Sequence, residues 1–297
     1  MAKRLLSCYA SDFKTMTKEE LKLAIKASEG RTILSENVVT TSASPGLTNA
    51  EIARAFGADL ILLNVLDLFN PVINGLSDTD QPIKRLKEMT GRPVGVNLEP
   101  VDSSAQMNED QLQISKGRKA LKETFIKANE LGFDFICLTG NPGTGVSHKE
   151  IIEALKIAKQ TFNGVIIAGK MHGSGVSESI VSLTAVEELI EHGADIILLP
   201  AIGTVPGVSL DDISNAVKIA RQQNVLTMSA IGTSQESASP ELIREIALSN
   251  KIAGVDIHHI GDAGYGGIAP YQNILELSRT IRGDRHTIAR IAGSNLR

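Results

Sequence analysis

The chain has no tryptophan, and only three tyrosines, seven phenylalanines and two cysteines among 297 residues. With so few aromatics and no Lys/Arg-rich run, the aromatic–basic platform of a nucleic-acid binder is excluded. Cys8 and Cys137 stand far apart, and Cys137 falls inside an apolar run. Both therefore read as reduced thiols and not as a disulfide framework. No stretch approaches the roughly 20 consecutive apolar residues that a bilayer span requires. The opening MAKRLLSCYASDF has too short an apolar run for a signal peptide. Neither charge sign dominates: the formal net charge is −4. These absences leave an expectation of a cytoplasmic protein with a small-molecule substrate, no nucleic-acid partner and no membrane partner.

What is present is a repeat. Four times a glycine, any residue, an aspartate and an apolar run follow a helical stretch. They read Gly57-Ala58-Asp59-Leu60, Gly132-Phe133-Asp134-Phe135, Gly193-Ala194-Asp195-Ile196 and Gly254-Val255-Asp256-Ile257. Glycine tolerates the left-handed turn that closes a helix, and the apolar run launches a buried strand. Another strand lies between successive copies, so each unit is two βα modules long. Four units make a single (β/α)8 TIM barrel, and a hydrophobic content of 42 % is ample for its core. The strands read as 37–43, 58–65, 92–99, 133–140, 163–171, 194–201, 225–232 and 252–260. Residues 31–36 are an equally good first strand, which would bring Glu36 to the mouth. Residues 1–36 form an N-terminal extension, with the capping box Thr17–Glu20 opening a helix that closes the barrel, and 37–297 form the barrel, one domain overall. Thr48 or Asn49, Ser147, and Ser239 with Pro240 are candidate helix starts. A homo-oligomer is expected, because barrels often associate through their helices.

Chemistry in such barrels sits at the C-terminal ends of the strands. Period-two alternation separates lumen-facing side chains from those beneath the helices. It places Asn97 and Glu99 inside on strand 3. On strand 5 it turns Val165, Ile167 and Met171 outward, and Ile166, Ala168, Lys170 and His172 inward. The glycine repeat sets the even strands, bringing Asn64, Thr139 and His259 to the lumen and sending His258 to the helix layer. The repeat aspartates belong to the opposite, stabilising face. Lys170 is the candidate nucleophile or base, because a buried ammonium is costly unless it is paired or its pKa falls. Glu99 and His172 are candidate proton carriers, and Asn64, Asn97, Thr139 and His259 are candidates to orient substrate. A structural Lys170–Glu99 ion pair and a His172 bonded to its own loop are the plainer alternatives. No cofactor is predicted, although Glu99, His172 and His259 could hold a divalent metal.

The loops after strands 7 and 8 are glycine-rich. Gly232 and Thr233, with Gly264, Gly266 and Gly267, are candidates to bind a phosphate through bare backbone N–H groups. Two further motifs fail on their residues. Gly140-Asn-Pro-Gly-Thr-Gly145-Val146-Ser147 has P-loop spacing, but Val146 stands where that motif requires lysine. Asp78-Thr-Asp80 has the paired aspartates of haloacid-dehalogenase phosphatases, but lies in a polar loop.

The stretches LTNAEIARAFGADLILLN (47–64), GRPVGVNLEPVD (91–102) and GADIILLPAIGTVPG (193–207) resemble a family of uncharacterised bacterial TIM-barrel proteins. Its members carry labels such as haloacid-dehalogenase-like hydrolase or phosphonomutase-like. Segment 49–64 is similar to the opening of the phosphoenolpyruvate mutase and isocitrate lyase group, without the clustered acidic metal ligands of that group. The functional expectation is an enzyme acting on a small anionic or phosphorylated carbonyl metabolite by lyase, aldolase-like or isomerase chemistry. A metal-assisted hydrolase and a non-catalytic metabolite-binding barrel are the alternatives.

Overall fold

A computed structural model describes residues 3–297 except 109 and 177. Eight parallel strands close in sequence order into one barrel. They are β1 (Thr32–Val38), β2 (Leu60–Asn64), β3 (Val94–Leu98), β4 (Phe135–Leu138), β5 (Val165–Gly169), β6 (Ile196–Pro200), β7 (Leu226–Ile231) and β8 (Ile257–Ile260). The (β/α)8 architecture is therefore observed. Strand 1 is the exception in placement: it occupies Thr32–Val38, not 37–43, so residues 32–36 belong to the barrel and not to the extension. Helix starts fall where capping chemistry put them. Thr48, Ser147 and Ser239 each accept a hydrogen bond from a backbone N–H of the first turn.

The Gly-x-Asp repeat has a structural meaning beyond ending helices. Each aspartate makes a two-point link to one residue of the preceding strand or its edge. The N–H of Asp59 donates to the carbonyl of Ile33, while its carboxylate accepts the N–H of Ile33. Asp134 does the same with Val94, Asp195 with Ile166, and Asp256 with Thr227. The closing glycines sit at φ values of 81°, 103° and 92° at Gly132, Gly193 and Gly254, where a side chain would be strained. Four copies thus tie each odd strand to the next even strand at the lower rim.

Two apolar layers follow. Beneath the helices lie Ile33, Ile61, Leu63, Val94, Val96, Ile136, Ile166, Ala168 and their neighbours. Inside the barrel lie Leu34, Leu60, Leu62, Phe135, Cys137, Val165, Ile167, Ile196, Leu198, Met228 and Ile257. The barrel bottom is plugged by Leu5, Cys8 and Phe13 together with Leu21, Ala24 and Ile25 of the helix Lys18–Lys26. That helix opens with the capping box between Thr17 and Glu20. The long C-terminal helix bends at Gly283, whose φ of 73° and ψ of 168° are non-helical. The turn carries Arg290 across the bottom to Asp59.

The even-strand registers agree with the repeat, but strand 5 is reversed. Val165, Ile167 and Met171 face the lumen, while Ile166 and Ala168 face the helices. Both faces of β5 are apolar, as in any strand covered on both sides, so alternation carries no information there. Lys170 and His172 lie beyond the strand's end, past a Gly169 at φ 149°. Period two does not extend through that turn.

Candidate active site

A cavity of 330 Å³ opens at the C-terminal ends of the strands, with Glu36, Asn64, Asn97, Thr139, His172 and Asp262 among its lining residues. Its inner wall includes one member of a buried hydrogen-bonded pair, Glu36. His259, from β8, and Glu36, from the neighbouring β1, meet at 2.9 Å between Nε2 and Oε2, and both are buried. Burial, with Glu236 and Glu99 nearby, pushes the Glu36 carboxyl up to about 8. Burial also pushes the His259 imidazole down to about 4, against the pull of Asp262 and Glu236. Both directions favour a neutral pair at physiological pH, a carboxylic acid beside an uncharged imidazole.

Beside this pair, Asp262 is raised to about 7, first by burial and then by Glu36. Its Oδ2 accepts from Asn64 Nδ2 at 2.9 Å. Asn64 and Asn141 exchange amide bonds of 2.8 and 3.1 Å, and Asn97 donates to Asn64 Oδ1 at 3.2 Å. Three asparagines from the β2, β3 and β4 sides thus fix the orientation of one carboxylate. Glu236, raised by burial, is held through Oε1 by the N–H of Ala263. Two lining residues carry buried polar atoms without a protein partner, Asn97 Oδ1 and Glu236 Oε2. Unmet groups of this kind are what a polar ligand would satisfy.

Backbone strain is concentrated at the same end. Val65, Ser174, Thr233 and Ser234 have φ values of 64°, 52°, 55° and 70° without being glycine, and all lie in loops that follow strands. Such conformations cost about 1–3 kcal/mol each and cluster at functional sites.

The sequence-predicted residues divide into two groups. Asn64, Asn97, Thr139, His172, Gly232 and Thr233 line the cavity, and His259 reaches it through Glu36. His258 points away and bonds the carbonyl of Gly30. Lys170 is not in the lining. It lies past the turn at Gly169, where it pairs with Glu178 at 2.7 Å. Glu99 is not in the lining either; it is buried just past the end of β3, bonded to Arg118 at 2.7 Å and to the N–H of Asn141 at 2.9 Å. The alternative of a Lys170–Glu99 ion pair is not found; each residue has its own partner, Glu178 and Arg118. His172 lines the cavity, but its Nδ1 accepts from the N–H of Ser174, so Nε2 carries the proton. Burial and then Lys170 lower its pKa to about 4.

Glu99, His172 and His259 do not converge as a metal triad. Among the described residues no group of three or more His, Cys, Asp or Glu could hold a metal. Gly264, Gly266 and Gly267 serve packing instead of lining the cavity. A Cβ at Gly264 would meet the carbonyl of Ile268, and one at Gly266 would meet Ala43. Asp78 and Asp80 are exposed in a loop, so the dehalogenase label has no support in the structure.

Sequence reasoning missed Glu236, Asp262 and Asn141, and left Glu36 dependent on the placement of strand 1. The only available signal was that each missed residue is a carboxylate or amide within a loop that follows a strand.

The chain is thus a parallel (β/α)8 barrel with a carboxylate-rich cavity at its mouth. Residues 6–297 match the family described as Domain of unknown function (DUF7916), and the chain belongs to that family. Among curated proteins none matches the sequence. Solved structures share the fold. The triclinic form of 2,3-dimethylmalate lyase, a member of the PEP mutase/isocitrate lyase superfamily, aligns with a TM-score of 0.50 and 13 % identity, covering 83 % of this chain and 81 % of that one. Its trigonal form gives the same TM-score and identity over 83 % and 78 %. Thiamine phosphate pyrophosphorylase from Pyrococcus furiosus aligns at 0.49 and 13 %, covering 86 % and 97 %.

Proposed function

We propose that the protein is a lyase-type enzyme that cleaves or enolises a small hydroxy-carbonyl compound by acid–base catalysis at the barrel mouth. The observation that carries this reading is the buried 2.9 Å hydrogen bond between Glu36 and His259 beside Asp262, whose carboxyl burial and then Glu36 push up to about 7. A group poised near the working pH is suited to removing a proton, and a protonated buried carboxyl is suited to delivering one. Asp262 would take the proton from the substrate hydroxyl. The bond between that carbon and the carbon next to the carbonyl then breaks. Its electron pair passes to the carbonyl oxygen as an enolate, which the Glu36–His259 pair protonates. His172 Nε2–H and the asparagine amides supply donors to hold the substrate oxygens.

The lining contains Glu36, Glu236 and Asp262 and, among the described residues, no lysine or arginine. That supports an uncharged hydroxy-aldehyde or hydroxy-ketone over the phosphorylated substrate expected from the glycine-rich loops. The lyase chemistry of 2,3-dimethylmalate lyase, which shares the fold, is compatible with this reading. Schiff-base catalysis by Lys170 is disfavoured by its pairing with Glu178.

Incubation with a panel of hydroxy-aldehydes and hydroxy-ketones in D2O, followed by proton NMR, tests the proposal. Cleavage or deuterium incorporation is expected with the wild-type protein, reduced about 100-fold or more in Asp262→Asn and Glu36→Gln. No exchange across the panel, or variants as active as wild type, would overturn it. A borohydride-trapped adduct at Lys170 would restore the Schiff-base route.

A further inference from the structure

The opposite pole of the barrel holds a second polar cavity, of 530 Å³, formed where residues 6–10, the start of β3 and the last turns of the C-terminal helix meet. Arg92, Arg285, His286, Arg290, Ser294 and Arg297 are among its lining residues and, among the described residues, no aspartate or glutamate is. Arg92 and Arg290 sit at its inner wall at 5 % and 4 % exposure, and Arg282 lies behind them at 7 %.

Two of these three buried guanidinium groups, Arg282 and Arg290, bond one carboxylate. Asp59 bonds Arg290 through Oδ1 at 2.7 Å, and Arg282 through Oδ2 at 2.5 Å. Its second oxygen also accepts the N–H of Ile33. Arg92 has only carbonyl partners, those of Ala58, Gly91 and Arg290. Arg290 Nη2 has no partner at all. Three positive charges against one negative leave an excess of two in a region withdrawn from water. Buried charge of one sign is expensive unless a counter-charge accompanies it. The surroundings add to the excess: burial and then Arg285, Arg31, Arg4 and Arg282 all lower the pKa of His286.

We propose that this lower cavity binds a dianionic oxoanion, the phosphate group of a small phosphorylated compound or free phosphate, between Arg92, Arg285 and Arg290. Guanidinium groups match tetrahedral oxoanions through paired N–H donors, and a dianion would offset the buried excess of positive charge. The site is independent of the chemistry at the mouth and lies at the opposite end of the strands.

Thermal unfolding at pH 7.5 with inorganic phosphate, against chloride at matched ionic strength, reads the binding. A ligand of the native state stabilises it by mass action, so saturable stabilisation by phosphate and not by chloride is expected. Arg285 is exposed, and R285E should remain folded with phosphate affinity at least tenfold lower. R92Q tests the inner wall, and E236Q at the mouth should leave the phosphate response unchanged. Glycerol 3-phosphate in place of phosphate separates the two ligand sources: tighter binding assigns a phosphorylated metabolite, and equal binding the free ion. A wild-type response no greater than that to chloride overturns the proposal. So does an R285E response equal to wild type, or a response abolished by E236Q.

Discussion

The two poles of this barrel are built from opposite charge. At the mouth, three carboxylates line a cavity with no lysine or arginine among its described residues. At the bottom, arginines line a cavity with no aspartate or glutamate among its described residues. Their titration answers differ accordingly. Glu36 and Asp262 have no cation facing them and are pushed toward the neutral form. Asp59 is equally buried, yet Arg282 and Arg290 overcome its desolvation and hold its carboxyl below the usual carboxylate range. A buried carboxylate next to arginine is a structural anchor. One without such a partner holds a proton near neutral pH and becomes available for chemistry.

The contrast can be broken most forcefully at Asp59. In Asp59→Ala the buried Arg282 and Arg290 lose their carboxylate partner, and the N–H of Ile33 loses its side-chain acceptor. Breaking a buried ion pair from one side costs about 3–5 kcal/mol, so urea unfolding should show a loss of that size. A loss below about 1 kcal/mol would mean that the bottom is not held by this charge network.

At the mouth the sign should reverse. Asp262→Asn keeps shape and removes a carboxyl whose ionisation is disfavoured. A carboxyl whose folded pKa is raised contributes stability that is fully present below its unfolded value, roughly 3.9, and is lost as pH rises through the folded value near 7. Glu36 extends the same loss toward 8. His172, His258 and His259, lowered to about 4, act oppositely: their contribution is present above roughly 6.5 and is lost as pH falls through 4. The windows overlap between about 4 and 6.5, where three histidines outweigh two carboxyls, and above that only the carboxyl loss remains, so stability should peak near pH 6.5. Asp262→Asn should flatten its alkaline side, gaining about 1–2 kcal/mol at pH 8 while activity falls. Urea midpoints measured from pH 4 to 9 check this, and an unchanged alkaline slope would remove Asp262 from the account.

The smallest effect concerns strain. Ser234→Gly relieves a left-handed serine and should stabilise by roughly 0.5–1 kcal/mol in thermal unfolding. A loss instead would mean that the Ser234 side chain makes a stabilising contact outweighing the backbone cost.

Much of this was legible from residues alone. The glycine that ends each helix and the aspartate that follows are local requirements, so their spacing revealed both the barrel and the registers of the even strands. Strand 5 was misread because both its faces are apolar. Its register was nevertheless latent in the repeat: Ile166 and Thr227, bonded by Asp195 and Asp256, have the same separation as those two aspartates. Lys170 drew attention as a buried cation beyond a strand, but its partner Glu178 comes from the loop that follows and could not be read from strand alternation.

The sequence by itself determined the elements, their order and most of the inward-facing set, because helix ends, caps and alternation depend on near neighbours. Only the tertiary structure decided which ionisable groups meet. Glu36 and His259 are joined because the first strand pairs with the last. Asp262 and Glu236 reach the same cavity through separate loops, and Arg290 reaches Asp59 through a bend at Gly283. Closure of the barrel sets those distances, and with them the desolvation and charge that decide where each proton rests.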